Sequence, residues 1–345
     1  MTLVSKYKAF LVALGFFLLC IFFIYWFLFS PPSGPLMTKS IMIKKGSSLK
    51  KVSTMLKQEG IIRDANLFIR MATFFGKKKE VKAGEYDFHT RMHPWQVLNI
   101  LAKGQVKPRL VTIVEGLTLS QIAQLLDDLE IVEKKTFFEK TSSPALIISL
   151  GLPYSVTSKP GSSLEGYLFP DTYHFLREMN AEEIIQMMVQ QFKKVFNNEW
   201  IHRASQLGMS QREVVILASI IEKEASLTEE KPFISAVFHN RLKKRIPLQS
   251  DPTVIYGIKN FNGNLTRADL QRPSPYNTYL INRLPPTPIC NPGKDSLLAA
   301  LHPSPVSYLY FVSKNDGAHY FSSTIEEHNR AVWKYQKRGF RKVSK

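Results

Sequence analysis

The hydrophobic positions of this chain fall into three regimes. From Ala9 to Ser30 they run without a charged residue, AFLVALGFFLLCIFFIYWFLFS. About 20 apolar residues suffice to cross the hydrocarbon core of a bilayer as a helix, so a transmembrane helix is expected over 9–30. A cleaved signal peptide has a shorter apolar core and a small-residue cleavage site, whereas this run closes on Tyr25-Trp26-Phe27-Leu28-Phe29, which predicts a retained anchor. Lys6 and Lys8 precede the run and Lys39 is the first charge after it, so residues 1–8 are expected in the cytoplasm and everything beyond Ser30 outside it. A buried core helix is the alternative reading.

The second regime follows a linker, 31–40, that holds Pro31-Pro32-Ser33-Gly34-Pro35. Ile41-Met42-Ile43, Gly46, then Leu49, Val52 and Leu56 at helical spacing, closing on Gly60-Ile61-Ile62, predict strand, turn and helix. The same order returns as Val111-Thr112-Ile113, Gly116, Leu119, Ile122, Leu126 and Ile131-Val132. Two copies are too few for a solenoid. They predict a small module over 41–106 and a related unit that opens a larger domain. Between them Leu67 to Phe75 reads as helix, Gly84 to Phe88 as strand and Trp95 to Leu101 as helix. This βααβ order resembles the LysM fold, and the resemblance implies a grip on N-acetylated glycan chains; a spacer without a ligand is equally open.

The third regime, 107–332, mixes both periodicities, and the fold class expected is α+β: a transmembrane helix, a LysM-like βααβ module and a larger mixed α/β catalytic domain. A basic tail, 333–345, follows, with Lys334, Lys337, Arg338, Arg341, Lys342 and Lys345. The 345 residues are 44% hydrophobic and 21% charged, which excludes wholesale disorder and a many-pass membrane bundle. Lys and Arg number 46 against 28 Asp and Glu, a net +18 that favours anionic partners. A basic domain outside the cytoplasm turns that preference away from nucleic acid. Cys20 lies in the apolar run and Cys290 far from it, so no intramolecular disulfide is expected.

Candidate chemistry sits in three places. Leu164 to Tyr173 (LEGYLFPDTY) mixes carboxylates with aromatic rings, as a saccharide groove does and as a loop with buried Tyr and Phe also would. Gln211 to Ala225 predicts an amphipathic helix ending in Glu222 and Glu224. Two residues apart on a helix, these carboxylates point about 200° from each other and cannot enter one pocket as a pair. Glu224 flanks the apolar arc of Leu217 and Ile221, which makes it the better candidate for a desolvated acid, although a Glu-Lys-Glu run also suits a solvated helix end. The third place is a series of loops rich in Asn, Tyr, Thr and Pro: Phe238 to Leu242, Leu248 to Gly257, Leu265 to Leu270, Pro275 to Tyr279 and Leu284 to Ile289. Asp295 to His302 then predicts a helix, and Tyr308 to Val312 with His319 to Ser322 a β-hairpin turning at Asn315-Asp316-Gly317. His89 and His93 lie four apart, but Pro94 follows and no HExxH pattern surrounds them, so no metal site is expected. No nucleophile turn and no phosphate-binding loop is present, and no cofactor is expected.

Glu165 to Tyr173, Ala218 to Glu224, Asn240-Arg241-Leu242, Gln249 to Gly257, Leu265 to Leu270, Tyr276 to Tyr279, Leu284 to Ile289 and His328-Asn329 together resemble the YceG-like family of endolytic murein transglycosylases. The resemblance spans 107–332; Thr287 and Cys290 stand where that family commonly has small residues. It implies a single-pass protein of the bacterial cytoplasmic membrane that cuts peptidoglycan strands without water, the muramyl 6-hydroxyl leaving a 1,6-anhydro end. It places the catalytic acid on Glu224, with Glu165, Tyr167, Asp251, Tyr276 and Asn277 as candidate substrate-binding residues. Penicillin-binding proteins and other wall-synthesis machinery are the protein partners it implies. The alternative is a non-enzymatic, LysM-like glycan-binding scaffold.

Overall fold

The computed structural model describes residues 3–32, 34–152, 163–176 and 179–337. Arg338, Arg341, Lys342 and Lys345 of the expected basic tail lie outside the described residues. The chain divides into two compact units, Met1–Leu110 with His174–Met179, and Val111–Tyr173 with Asn180–Lys345.

The first unit opens with helix α1, Leu3–Phe29, 27 residues long. Its side chains are described without a break from Phe10 to Trp26, about 25 Å of helix, and the large apolar ones are exposed. Among the described residues no helix is long and apolar enough to cross a membrane. Strand β1 (Thr38–Ile43), helices α2 (Leu49–Gln58) and α3 (Ala65–Phe74), strand β2 (Gly84–His89) and helix α4 (Pro94–Lys103) follow. The two strands pair antiparallel with Ile41 opposite Tyr86, so the alternation that buries Ile41 and Ile43 also buries Tyr86 and Phe88 on the same face. Val52, Leu56, Phe68, Leu98 and Leu101 close the core over them. Side-chain oxygens of Ser48 and Asp64 cap α2 and α3, and Gly104, left-handed at φ 68°, ends α4. Gly84 is required: at φ 142° a Cβ would collide with Val106. His89 Nδ1 bonds Thr38 Oγ1 at 2.9 Å, and the main-chain N–H of His93 donates to Gln96 at the start of α4.

Strand β3 (Arg109–Thr112) leads through a turn to α5 (Leu119–Asp128), so the second unit begins with the repeated strand, turn and helix. Helices α6 (Lys134–Thr141) and α7 (Pro144–Ser149) follow, then β4 (Thr172–Phe175), which forms a two-stranded sheet with β3. The main body contains α8 (Ala181–Val195), α9 (Asn198–Gln206), α10 (Gln211–Glu224), a 3-10 turn at Thr228–Glu230, α11 (Lys231–Lys243), α12 (Asp251–Tyr256), α13 (Arg267–Gln271) and α14 (Lys294–Leu301). An antiparallel hairpin of β5 (Tyr310–Ser313) and β6 (His319–Ser322), then α15 (Ile325–Val332) and a π turn at Trp333–Lys337, close it.

Helix α10 is the centre of this unit. Its periodicity predicts one buried stripe, yet every residue from Val214 to Ile221 is buried, because α11, α12 and α14 pack against it from different sides. Such a helix is a core rod rather than an amphipathic surface element. Its one polar member there, Ser219, is satisfied: the hydroxyl donates to Ile216 O at 2.7 Å and accepts from Ile289 N–H at 3.0 Å. Cys290 fits beside it by donating its thiol to Ser219 O at 3.3 Å.

Candidate active site

The last turn of α10 sends its two carboxylates to different places. Glu222, its side chain 9% exposed, accepts from Lys231 Nζ at 3.3 Å and from the main-chain N–H of Gly293 at 2.9 Å. Lys231, itself buried, also lies 3.9 Å from Glu115. A Cβ at 293 would meet the Glu115 carboxylate, which would have to swing aside from this cluster. This clamp uses Glu222 for structure.

Glu224 instead lines a cavity of about 440 Å³ between α11, the Leu248–Asp251 loop and the β5–β6 hairpin. It is half-buried at the surface but deeply desolvated, and burial pushes its carboxyl up to about 7. The negative charge of neighbouring Asp251 adds to the rise, and a hydrogen bond from Ser250 opposes it. Ser250 Oγ donates to Glu224 Oε1 at 2.5 Å. That hydroxyl is free for the purpose because, although Ser250 stands at the cap position of α12, it makes no side-chain cap bond. The residue is fixed through its backbone: its N–H donates to Thr278 Oγ1 at 3.0 Å and its carbonyl accepts from Thr253 Oγ1 at 2.7 Å. One oxygen of Glu224 is therefore engaged, and the acid keeps its proton near neutral pH. Such a group can protonate a glycosidic oxygen.

The loop before Ser250 is held in a strained shape. Gln249 has φ 52°, and Arg241 pins the segment by donating to Pro247 O, Leu248 O and Gln249 Oε1 at 2.9–3.1 Å. Asp251 is exposed at the cavity edge, where it accepts from Tyr279 O–H at 2.6 Å. We expect Ser250→Ala to raise the Glu224 pKa further, since it removes a bond to the charged form. The alkaline limb of the pH–rate profile moves to higher pH; a shift to lower pH would contradict this arrangement.

Of the five residues expected to bind substrate, Asp251 alone lines this cavity. Glu165 is 3% exposed and lies in the interior, accepting from Leu119 N–H at 2.9 and 3.1 Å, Asn291 Nδ2 at 3.0 Å and Tyr256 O–H at 3.1 Å. Burial lifts its carboxyl to about 7 against these bonds. It sits at the first residue of α5, where a carboxylate meets unpaired N–H groups, and Asn291 ties it to Gly166 and Leu168. Tyr167 is buried edge-on against Phe192, with ring centroids 5.1 Å apart. Asn277 is buried too, its amide donating to Leu270 O and Arg272 O. Tyr276, half-buried, packs on Tyr256 and shares a 2.7 Å hydrogen bond with Thr287, whose hydroxyl thus has a partner. The polar-aromatic composition that suggested a groove belongs here to a loop-tying core. Ser250, Tyr279 and the His319–Glu230 pair, whose Nδ1 and Oε2 lie 2.7 Å apart, are cavity-side features not singled out from the sequence. The Ser-Asp-Pro run at 250–252 signals a helix start, not a hydroxyl aimed 26 positions back along the chain.

A larger cavity, about 1170 Å³, is lined by the N-terminal half of α10, the end of α11 and residues 282–286. Its carboxylate, Glu213, is committed to the α10 cap through Ser210 at 2.8 Å. The smaller cavity has the carboxyl whose pKa burial raises, Glu224.

The YceG-like family model matches residues 41–334 of this chain. An endolytic murein transglycosylase of Bacillus subtilis strain 168 is 34% identical over 307 residues, 86% of this chain and 85% of that protein. A protein of the same description from Streptococcus pneumoniae D39 is 30% identical over 321 residues, and the match covers 57% of its length. A crystal structure of a YceG-like protein from Listeria monocytogenes superposes with a TM-score of 0.60 at 34% identity, over 86% of this chain and all of that one.

Proposed function

The chain belongs to the YceG-like family, and we propose that it is a lytic transglycosylase that cuts within peptidoglycan strands, with Glu224 as its acid and base. The observation that carries this reading is one sheltered carboxyl, near pKa 7, facing a cavity of small-ligand size with one oxygen already held. Protonated Glu224 gives its proton to the oxygen leaving C1 of the muramyl residue as that C–O bond breaks. The 6-hydroxyl of the same sugar forms the new bond to C1 and passes its proton to the Glu224 carboxylate, which restores the acid. Water takes no part, so a second carboxylate to activate it is unnecessary, unlike in common glycosidases.

The uncharged run over 9–30, the helical backbone of α1 and its exposed apolar side chains support a single-pass anchor in the cytoplasmic membrane, with the chain after Ser30 on its outer side. The βααβ order of the first unit supports a LysM-like glycan-holding role, and penicillin-binding proteins that extend the strands are the partners proposed for the anchored chain. Incubating the protein with un-crosslinked glycan strands in ¹⁸O-labelled water, followed by mass analysis, tests the reaction. Anhydro-ended products without label are expected. Labelled reducing ends would make it a hydrolase, and intact strands a binding scaffold.

A further inference from the structure

The proposed reaction leaves the polar pair of His319 and Glu230 without a part. His319, at the start of β6, lines the same cavity as Glu224, and its Nδ1 lies 2.7 Å from Glu230 Oε2. A carboxylate only accepts, so the pair selects the tautomer with the hydrogen on Nδ1, in which Nε2 keeps its lone pair. Among the described residues Nε2 makes no hydrogen bond, and it is not among the buried unpaired atoms, so it remains reachable. Phe311, edge-on at 5.4 Å between centroids, steadies the ring.

This pair is more than a tie for the hairpin. The main-chain N–H of His319 already donates to both Glu230 oxygens, at 2.9 and 3.1 Å, and any residue other than proline at 319 would supply that bond. What the imidazole adds is an oriented acceptor. Of the neighbouring acceptor oxygens, Glu224 Oε1 already accepts from Ser250, Asp251 Oδ1 from Tyr279 and Gln249 Oε1 from Arg241, while Glu224 must itself donate its proton in the proposed reaction. Close by, His328 is stacked on Tyr310 with its Nδ1 buried and unpaired among the described residues, so this end of the cavity has polar groups the protein does not satisfy.

We propose that His319, held by Glu230, forms an N-acetyl subsite: Nε2 accepts the acetamido N–H of the amino sugar bound beside Glu224. This deepens the transglycosylase reading and rests on it. The acetamido group sits on the carbon next to the one whose bond breaks, and its N–H loses water on entering the cavity, so it requires an acceptor there. A strand whose acetamido groups have been converted to free amines lacks that donor and instead brings a charge. The site thus selects N-acetylated strands.

The test uses the full chain and two substrates, N-acetylated glycan strands and the same strands after N-deacetylation. The wild type is expected to favour the first by at least about 10-fold in kcat/KM. His319→Phe, which retains a ring against Phe311, is expected to lower kcat/KM on acetylated strands by about 10–100-fold and to bring the preference close to 1. Retention of the wild-type preference by this variant overturns the proposal. If His319→Phe does not fold, the ¹⁵N shift of His319 Nε2 in the Glu224→Gln protein decides: it moves on adding acetylated strands and not deacetylated ones, and an unchanged shift with strands bound overturns the proposal. Failure of the wild type to cleave acetylated strands would instead sink the transglycosylase reading itself.

Discussion

Glu224→Gln is expected to lower strand cleavage by about 10²–10⁴-fold, the range attributable to a positioned general acid, while strands still bind. The same variant is expected to be more stable than the wild type at alkaline pH. The folded-state pKa, about 7, lies above the usual 4.5, so the folded protein holds this proton more tightly than the unfolded chain. Below about pH 4.5 the carboxyl is protonated in both states and costs nothing. As pH rises from there to about 7, the wild type loses stability because the unfolded carboxyl ionises while the folded one keeps its proton, so folding must take up a proton. Gln has no charge to shelter, and its amide oxygen still accepts from Ser250. The gain above pH 7 should be roughly 1–3 kcal/mol, read as a difference in urea midpoint that vanishes at pH 4. A variant both active and no more stable would leave Glu224 without its assigned role.

Glu165→Ala is expected to have the largest effect on folding. The change strands the Leu119 N–H, the Asn291 amide and the Tyr256 hydroxyl, which together make four hydrogen bonds to one buried carboxylate. Each stranded donor costs about 1–3 kcal/mol, so the loss from the three is on the order of 3–9 kcal/mol, a large share of the stability of an ordinary domain. Glu165→Gln keeps an acceptor and should cost less, with cleavage retained wherever the protein is folded. Thermal melts together with activity separate this anchoring role from the substrate-binding role expected from sequence. An Ala variant melting within a few degrees of the wild type would remove the anchor from the account.

What the sequence made legible was local. The strand, turn and helix of 41–62 and its return at 111–132 follow from spacings of two and of three to four residues, and both appear. The parting of Glu224 from Glu222 followed from about 100° per residue, and the preference for Glu224 from its place beside Leu217 and Ile221; the two side chains do part, one to Lys231 and one to the cavity. What stayed illegible depends on what packs over an element. Leu164 to Tyr173 has the composition of a saccharide groove, and only the packing of Asn291, Phe192 and α5 shows that Glu165 and Tyr167 point inward. Helix α10 reads as one-faced because the elements that cover its other sides, α11, α12 and α14, come later in the chain. Ser250 and Glu224 are 26 positions apart, and His319 and Glu230 are 89 apart; no periodicity connects them.

The central claim is that Glu224 holds a proton at neutral pH because protein, rather than water, surrounds it. Carboxyl ¹³C NMR of the full chain, with the Glu224→Gln protein to assign the resonance, measures this directly. The account predicts a titration midpoint near 7, moving upward in Ser250→Ala. A midpoint at the ordinary glutamate value, unmoved by that substitution, would contradict it.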